Sequence, residues 1–209
     1  MIVIMTRALL VIDVQESFRQ APLWPVISNP GIATDAARLV DAARAGGDLV
    51  VWVLHAEPGS GGVFDPARGH VRYLDPLSPQ DGEPQLTKTS HNAFTTTNLQ
   101  QLLTQRGIRE VTVCGIRTEQ CCETTARVAS DLGYLVTFVT DATATHPIPY
   151  RDAPAGQTAG QLLADPRTLP ASVVIERTEY ALAGRFATIA TIAEVTGQAA
   201  APAPGSRAC

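Results

Sequence analysis

The sequence predicts an α/β fold of three layers, a six-stranded, mostly parallel sheet between two layers of helices. Short, almost uninterrupted apolar runs alternate with stretches of helical character. The runs lack the in–out alternation of a half-solvated sheet, so they read as strands buried on both faces. One strand followed by one helix, repeated, is the pattern of right-handed βαβ crossovers. At 209 residues, with 45% hydrophobic and 17% charged residues, the chain suits one sizeable soluble domain. That domain is expected over residues 1–197, with residues 198–209, rich in Ala, Pro and Gly, as a disordered tail.

The first strand is Ala8-Leu9-Leu10-Val11-Ile12, ending at Asp13. Ala33 to Ala45 reads as a helix stopped by Gly46-Gly47, and Asp48 to His55 as a second buried strand. Residues 56–86 carry Gly, Pro and Asp without periodicity, which is the mark of a long functional loop such as a lid. A short strand then leads to Lys88, followed by a helix from Thr97 to Arg106 stopped by Gly107. Glu110 to Gly115 is a strand, Thr118 to Leu132 a helix, and Tyr134 to Thr140 a strand. A helix near 156–165, a sixth strand at Ser172 to Glu176 and a last helix from Phe186 to Thr196 complete the expectation. No internal repeat is visible.

The net charge of −4 gives no electrostatic footprint for nucleic acid, and no basic run suits a membrane surface. No stretch approaches the ~18 apolar residues that would span a bilayer, and Met1 to Met5 is too short for a signal segment. Either Met1 or Met5 could begin the chain. A cytoplasmic protein is expected. Cys114, Cys121, Cys122 and Cys209 show no disulfide framework or zinc spacing, and Cys121 beside Cys122 is too strained a pairing for a redox role inside a helix.

Asp13, Lys88 and the loop after Gly115 all fall at strand ends, where doubly wound sheets place their sites. Lys88 is the single lysine among sixteen basic residues, so a compact ammonium is wanted where a planar guanidinium would not fit. Asp13, at the mouth of a buried strand, should have a raised pKa unless a cation stands near. Thr118 reads as the N-cap of the next helix, which puts Cys121 in its first turn, where the helix dipole and a nearby lysine should favour the thiolate.

Three segments resemble the isochorismatase-like cysteine hydrolases, over residues 7–183. The run Gly115-Ile116-Arg117-Thr118-Glu119-Gln120-Cys121-Cys122-Glu123-Thr124-Thr125-Ala126 is similar to their G-[VI]-x-T-D-x-C-V-x-x-T-A signature. Leu9 to Phe18 resembles their first-strand motif, and Leu86 to Phe94 the segment that supplies their lysine. The resemblance implies a Rossmann-like sheet topology and a catalytic trio of Asp13, Lys88 and Cys121. It implies hydrolysis of a small amide or ureido C–N bond through a thioester. It also implies a non-proline cis peptide between Ile116 and Arg117, with the backbone N–H groups of Arg117 and Cys121 as an oxyanion hole. Glu119 departs from the family's Asp, so a hydrogen bond made there should be re-aimed.

Metal-dependent nicotinamidases of this family carry an Asp and clustered histidines. Here His55 and His70 stand apart with no D-x-H, so no metal and no cofactor is expected; His55 reads as a strand-end residue near the pocket and His146 as loop. Vinyl-ether hydrolysis of isochorismate is the nearest rival, and its enzymes lack the nucleophilic cysteine; a catalytically silent domain is the other. Gln15, Phe18, Trp24, His91 and Phe94 are the candidate pocket residues, with Tyr73 and Tyr150 as further aromatic candidates. The expected partners are a small-molecule substrate and further copies of the chain in a dimer or tetramer, with neither nucleic acid nor membrane.

Overall fold

The computed structural model describes residues 6–197. Six strands form one sheet: β1 (Arg7–Ile12), β2 (Leu49–His55), β3 (Gln85–Lys88), β4 (Glu110–Ile116), β5 (Leu135–Ala144) and β6 (Thr188–Ala190). Their order is β3-β2-β1-β4-β5-β6, and every neighbouring pair is parallel. The chain winds outward from β1 in one direction and from β4 in the other. The order therefore switches between β1 and β4, and a crevice opens at their carboxyl ends. The tail and the two candidate start residues, Met1 and Met5, lie outside the described residues.

Alternate residues of each strand serve opposite cores, as the period of two demands. Leu10, Ile12, Val51, Val53 and Val113 face a core closed by α3 (Leu99–Gln105), α4 (Glu123–Asp131) and α6 (Ala171–Leu182). Leu9, Val11, Val50, Trp52 and Cys114 face the other, closed by α2 (Ile32–Gly46) and α7 (Ile192–Thr196). Helix α2 buries Ile32, Ala36, Leu39, Val40 and Ala43 at helical spacing, and ends on Gly47 in the left-handed conformation. Two short helices, α1 (Glu16–Arg19) and α5 (Ala159–Ala164), complete the set.

The expected strand at Ser172–Glu176 is instead part of α6. Its β-branched residues suggested a strand, but Val174, Thr178 and Leu182 are buried four residues apart, which is a helical stripe, and Val173 lies on the outer side. The sixth strand comes later, inside the helix expected from Phe186 to Thr196. Thr188–Ala190 pairs with β5, and Thr191 then opens α7 with a reciprocal cap to Glu194. The Thr191-x-x-Glu194 spacing is the signal that places this break.

The long segment after β2 is pinned. Leu74 N–H donates to Val14 O at 3.0 Å and Glu16 N–H to Arg72 O at 2.8 Å, so it packs on the end of β1. Glu83 ties its far end down, accepting from Arg44 at 2.7 and 2.9 Å and from the Trp52 indole at 2.7 Å.

Gly115 lets β1 and β4 close at the switch. With φ at +133°, a Cβ there would sit 1.9 Å from the carbonyl oxygen of Ile12, its register partner. Only glycine fits.

Candidate active site

Asp13 follows β1, Lys88 ends β3, and Cys121 lies in a π-helical turn, Thr118–Cys122, between β4 and α4. The fold brings them together. Lys88 Nζ is 2.7 Å from Asp13 Oδ2 and 3.4 Å from Cys121 Sγ, and it donates to Ser90 O at 3.1 Å. The side chains of Asp13 and Lys88 are completely buried, and Cys121 is 7% exposed, at the floor of a cavity of about 350 Å³. Asp13 is the one non-glycine residue with positive φ among the described residues, at 53°. An Asp can adopt this conformation at a cost of roughly 1–2 kcal/mol. It turns the carboxylate off the strand toward the lysine.

Burial raises the Asp13 pKa above the ordinary carboxylate value, and Lys88 only partly offsets it. For Lys88, burial works against the ammonium, but Asp13 and Cys121 outweigh it and the pKa is raised. The thiol of Cys121 differs from the sequence expectation. Burial and then the Asp13 charge push its pKa up to about 12, and Lys88 does not reverse this. The resting group is a thiol, because a desolvated sulfur beside a carboxylate gains less from one ammonium than it loses.

The turn also forms differently from the simple capped helix. Arg117 occupies the N-cap position in extended conformation, and the Thr118 hydroxyl donates to Thr143 Oγ1 at 2.8 Å instead of capping. A cis peptide joins Ile116 and Arg117. Arg117 O accepts from the N–H groups of Gln120 at 3.2 Å and Cys122 at 3.1 Å, passing over the Cys121 N–H between them. Glu119 forms an ion pair with Arg117 at 2.6 Å and accepts from Thr145 Oγ1 at 2.6 Å, so this longer acid holds a cavity-lining guanidinium.

Of the candidate pocket residues, Phe18, Trp24 and His91 line the cavity. Gln15 does not. It is buried behind the site, where its amide oxygen accepts from His55 N–H at 2.7 Å and its nitrogen donates to His55 O at 3.0 Å, clamping the ends of β1 and β2. Phe94 belongs to the core, stacked on Tyr134. Tyr73 packs edge-on against Trp52, and Tyr150 lies between Arg151 and Arg167 away from the cavity. Sequence reasoning missed Ile27, Glu57, Phe64 and Gln120; His146 lies in a loop as expected, and that loop brings it to the wall with Arg117. Proximity to a motif misled for Gln15 and Phe94, which lie in irregular chain beyond the ends of β1 and β3, where strand alternation no longer fixes which way a side chain points.

His55 lines the cavity between two charges, with Nδ1 3.4 Å from Lys88 Nζ and Nε2 3.4 Å from Glu57 Oε1. Burial and the adjacent lysine lower its pKa, and burial followed by Arg117 does the same to His146. No cluster of three or more His, Cys, Asp or Glu among the described residues is arranged to hold a metal ion. No helix among them is long and apolar enough to cross a membrane.

Comparison with known proteins bears on the family and the fold. Residues 7–180 match the Isochorismatase domain family. A streptothricin hydrolase of Streptomyces noursei is 34% identical over 200 residues, covering 95% of this chain and 73% of that protein. Among solved structures, an isochorismatase from Pseudomonas putida KT2440 is 31% identical with a TM-score of 0.77, covering 90% of this chain and 89% of the other. A cysteine hydrolase from Pseudomonas syringae pv. phaseolicola shares the fold, with a TM-score of 0.77 at 24% identity and 92% of each chain covered.

Proposed function

The chain belongs to the isochorismatase family of hydrolases, and on that premise we propose that it cleaves the C–N bond of a small amide or ureido compound through a thioester on Cys121. The observation that carries this reading is the buried contact of Lys88 Nζ with Asp13 at 2.7 Å and Cys121 at 3.4 Å on the cavity floor.

Because the resting sulfur is a thiol, attack and deprotonation are coupled. As Cys121 Sγ bonds to the carbonyl carbon, its proton passes to Asp13, whose raised pKa makes it a stronger base than an exposed carboxylate. Lys88 holds both groups and stabilises the negative charge while it shifts between them. The N–H groups of Arg117 and Cys121 serve the oxyanion. Asp13 returns the proton to the leaving nitrogen as the C–N bond breaks, leaving the thioester. Water then adds with its proton going to Asp13, and expulsion of the sulfur, reprotonated by Asp13, releases the acid. The cysteine favours this over vinyl-ether hydrolysis, which needs no nucleophilic thiol. A cytoplasmic setting is part of the proposal, supported by the free thiols Cys114, Cys121 and Cys122, which a reducing compartment preserves.

The test is ammonia or amine release from a panel of small amides, ureido acids and streptothricin, with rapid-quench intact mass spectrometry. An acyl adduct should map to Cys121, and Cys121→Ala should abolish both adduct and turnover. Turnover by the alanine variant within tenfold of wild type, or consumption of isochorismate alone, would sink the reading.

A further inference from the structure

We propose that the mouth of the cavity is a subsite for an organic cation, an ammonium or guanidinium on the distal part of the amide, formed by the carboxylate of Glu57 with the rings of Phe64, Phe18 and Trp24. This names the substrate class for the reading above and rests on it.

The charges around the cavity close into pairs, with one exception. Asp13 pairs with Lys88 at 2.7 Å, and Arg117 pairs with Glu119 at 2.6 Å. Glu57 is left over. Its sole ionic neighbour among the described residues is His55, at 3.4 Å. Burial and the ammonium of Lys88 keep that imidazole toward its neutral form. The two pairs cancel, and the cavity keeps the negative charge of Glu57 beside the imidazole of His55.

That charge is 52% exposed, so it sits at the solvent side of the cavity, and the backbone that carries it is tied down. Glu57 N–H donates to Phe64 O at 2.9 Å, closing a loop between the two residues. Asp65 fixes the loop by accepting from Gly61 N–H at 2.8 Å and Ala67 N–H at 3.1 Å. The ring of Phe64 meets Phe18 edge-to-face at 5.0 Å and His55 at 5.5 Å. A carboxylate beside aromatic rings recognises an organic cation by charge and by the ring quadrupole together. The same charge disfavours an amide whose distal group is a carboxylate.

Two thiol reagents of equal reach and opposite charge test this without requiring turnover: 2-(trimethylammonium)ethyl and 2-sulfonatoethyl methanethiosulfonate. Each forms a mixed disulfide with Cys121 and releases methanesulfinate, and peptide mass spectrometry reads the rate at that residue. Rates are normalised to those of a free small thiol. The cationic-to-anionic ratio at Cys121 should fall about three- to fivefold in Glu57→Gln, the upper end of what a half-exposed ion pair contributes, and Glu57→Asp should retain most of it. A half-exposed side chain can be changed without unfolding the protein, which a thermal melt confirms. Among amides that are turned over, a trimethylammonium substrate should exceed its tert-butyl isostere in kcat/KM, and Glu57→Gln should collapse that difference. A ratio unchanged within twofold in Glu57→Gln overturns the subsite even if amide turnover stands. Turnover surviving in Cys121→Ala, with the ratio intact, would instead overturn the catalytic reading.

Discussion

Replacing Lys88 by Arg keeps the positive charge and removes the shape. The Lys88 side chain is completely enclosed, and its Nζ lies 2.7 Å from Asp13, 3.1 Å from Ser90 O, and 3.4 Å from both Cys121 and His55. A guanidinium is wider and planar, and cannot serve four neighbours converging on one point. Overfilling a closed site of this kind costs about 1–3 kcal/mol. For a chain of this length each kcal/mol lowers Tm by about 2–4 °C, so the melting point should fall by about 2–12 °C with the fold retained. At a strand end judged from sequence alone, stability would be untouched; full burial adds this cost. Displacing Asp13 from Cys121 by about 1 Å should cut kcat/KM on a small amide roughly a hundredfold or more. Lys88→Met makes the contrast, because it leaves the buried carboxylate of Asp13 unpaired and should cost about 3–5 kcal/mol. The assays are thermal unfolding by circular dichroism and steady-state ammonia release. An arginine variant that keeps a tenth or more of wild-type kcat/KM would refute the reasoning, since a point charge would then not be required.

The pH profile follows from Asp13. The base must be deprotonated in the free enzyme and its pKa is raised, so kcat/KM should climb with pH through an apparent pKa above 3.8, the ordinary value, and an acid limb at or below it would contradict the assignment. Alkylation of the free enzyme by iodoacetamide should favour Cys121 over Cys114 and Cys122, which have no exposure; its rate should still be rising above pH 9, as expected of a thiol with a pKa of about 12, and a neutral-pH plateau would show a resting thiolate instead. Chelation by EDTA should leave turnover within twofold, since His55 is engaged by Lys88 and Glu57 and no cluster of metal-ligating side chains among the described residues surrounds it; loss restored by zinc or iron would count against this. Gly115→Ala should yield little soluble protein, because its Cβ would lie 1.9 Å from Ile12 O, and a normal melting curve would show that β1 and β4 can separate there.

Local residue patterns were enough to determine the layered α/β architecture and to mark Asp13, Lys88 and the Cys121 turn. Long apolar strands must be covered on both faces, and parallel crossovers put their ends together, so residues 75 positions apart in sequence, such as Asp13 and Lys88, could be assigned to one crevice from order and type. The same reasoning misplaced the edge of the sheet. Val173, Val174 and Ile175 suit a strand by propensity, yet packing against the neighbouring helices selected a helix, and the three-residue strand Thr188–Ala190 is too short for its pattern to announce it. The pocket wall was least legible, because Glu57 and Phe64 reach it from one loop and Arg117 and His146 from two others, and the paths of these loops depend on long-range hydrogen bonds. The protonation state of Cys121 was decided by tertiary structure alone. A sequence shows a cysteine near a helix start, but the burial that withdraws water from the sulfur, and the carboxylate brought beside it from another strand, exist only once the chain has folded.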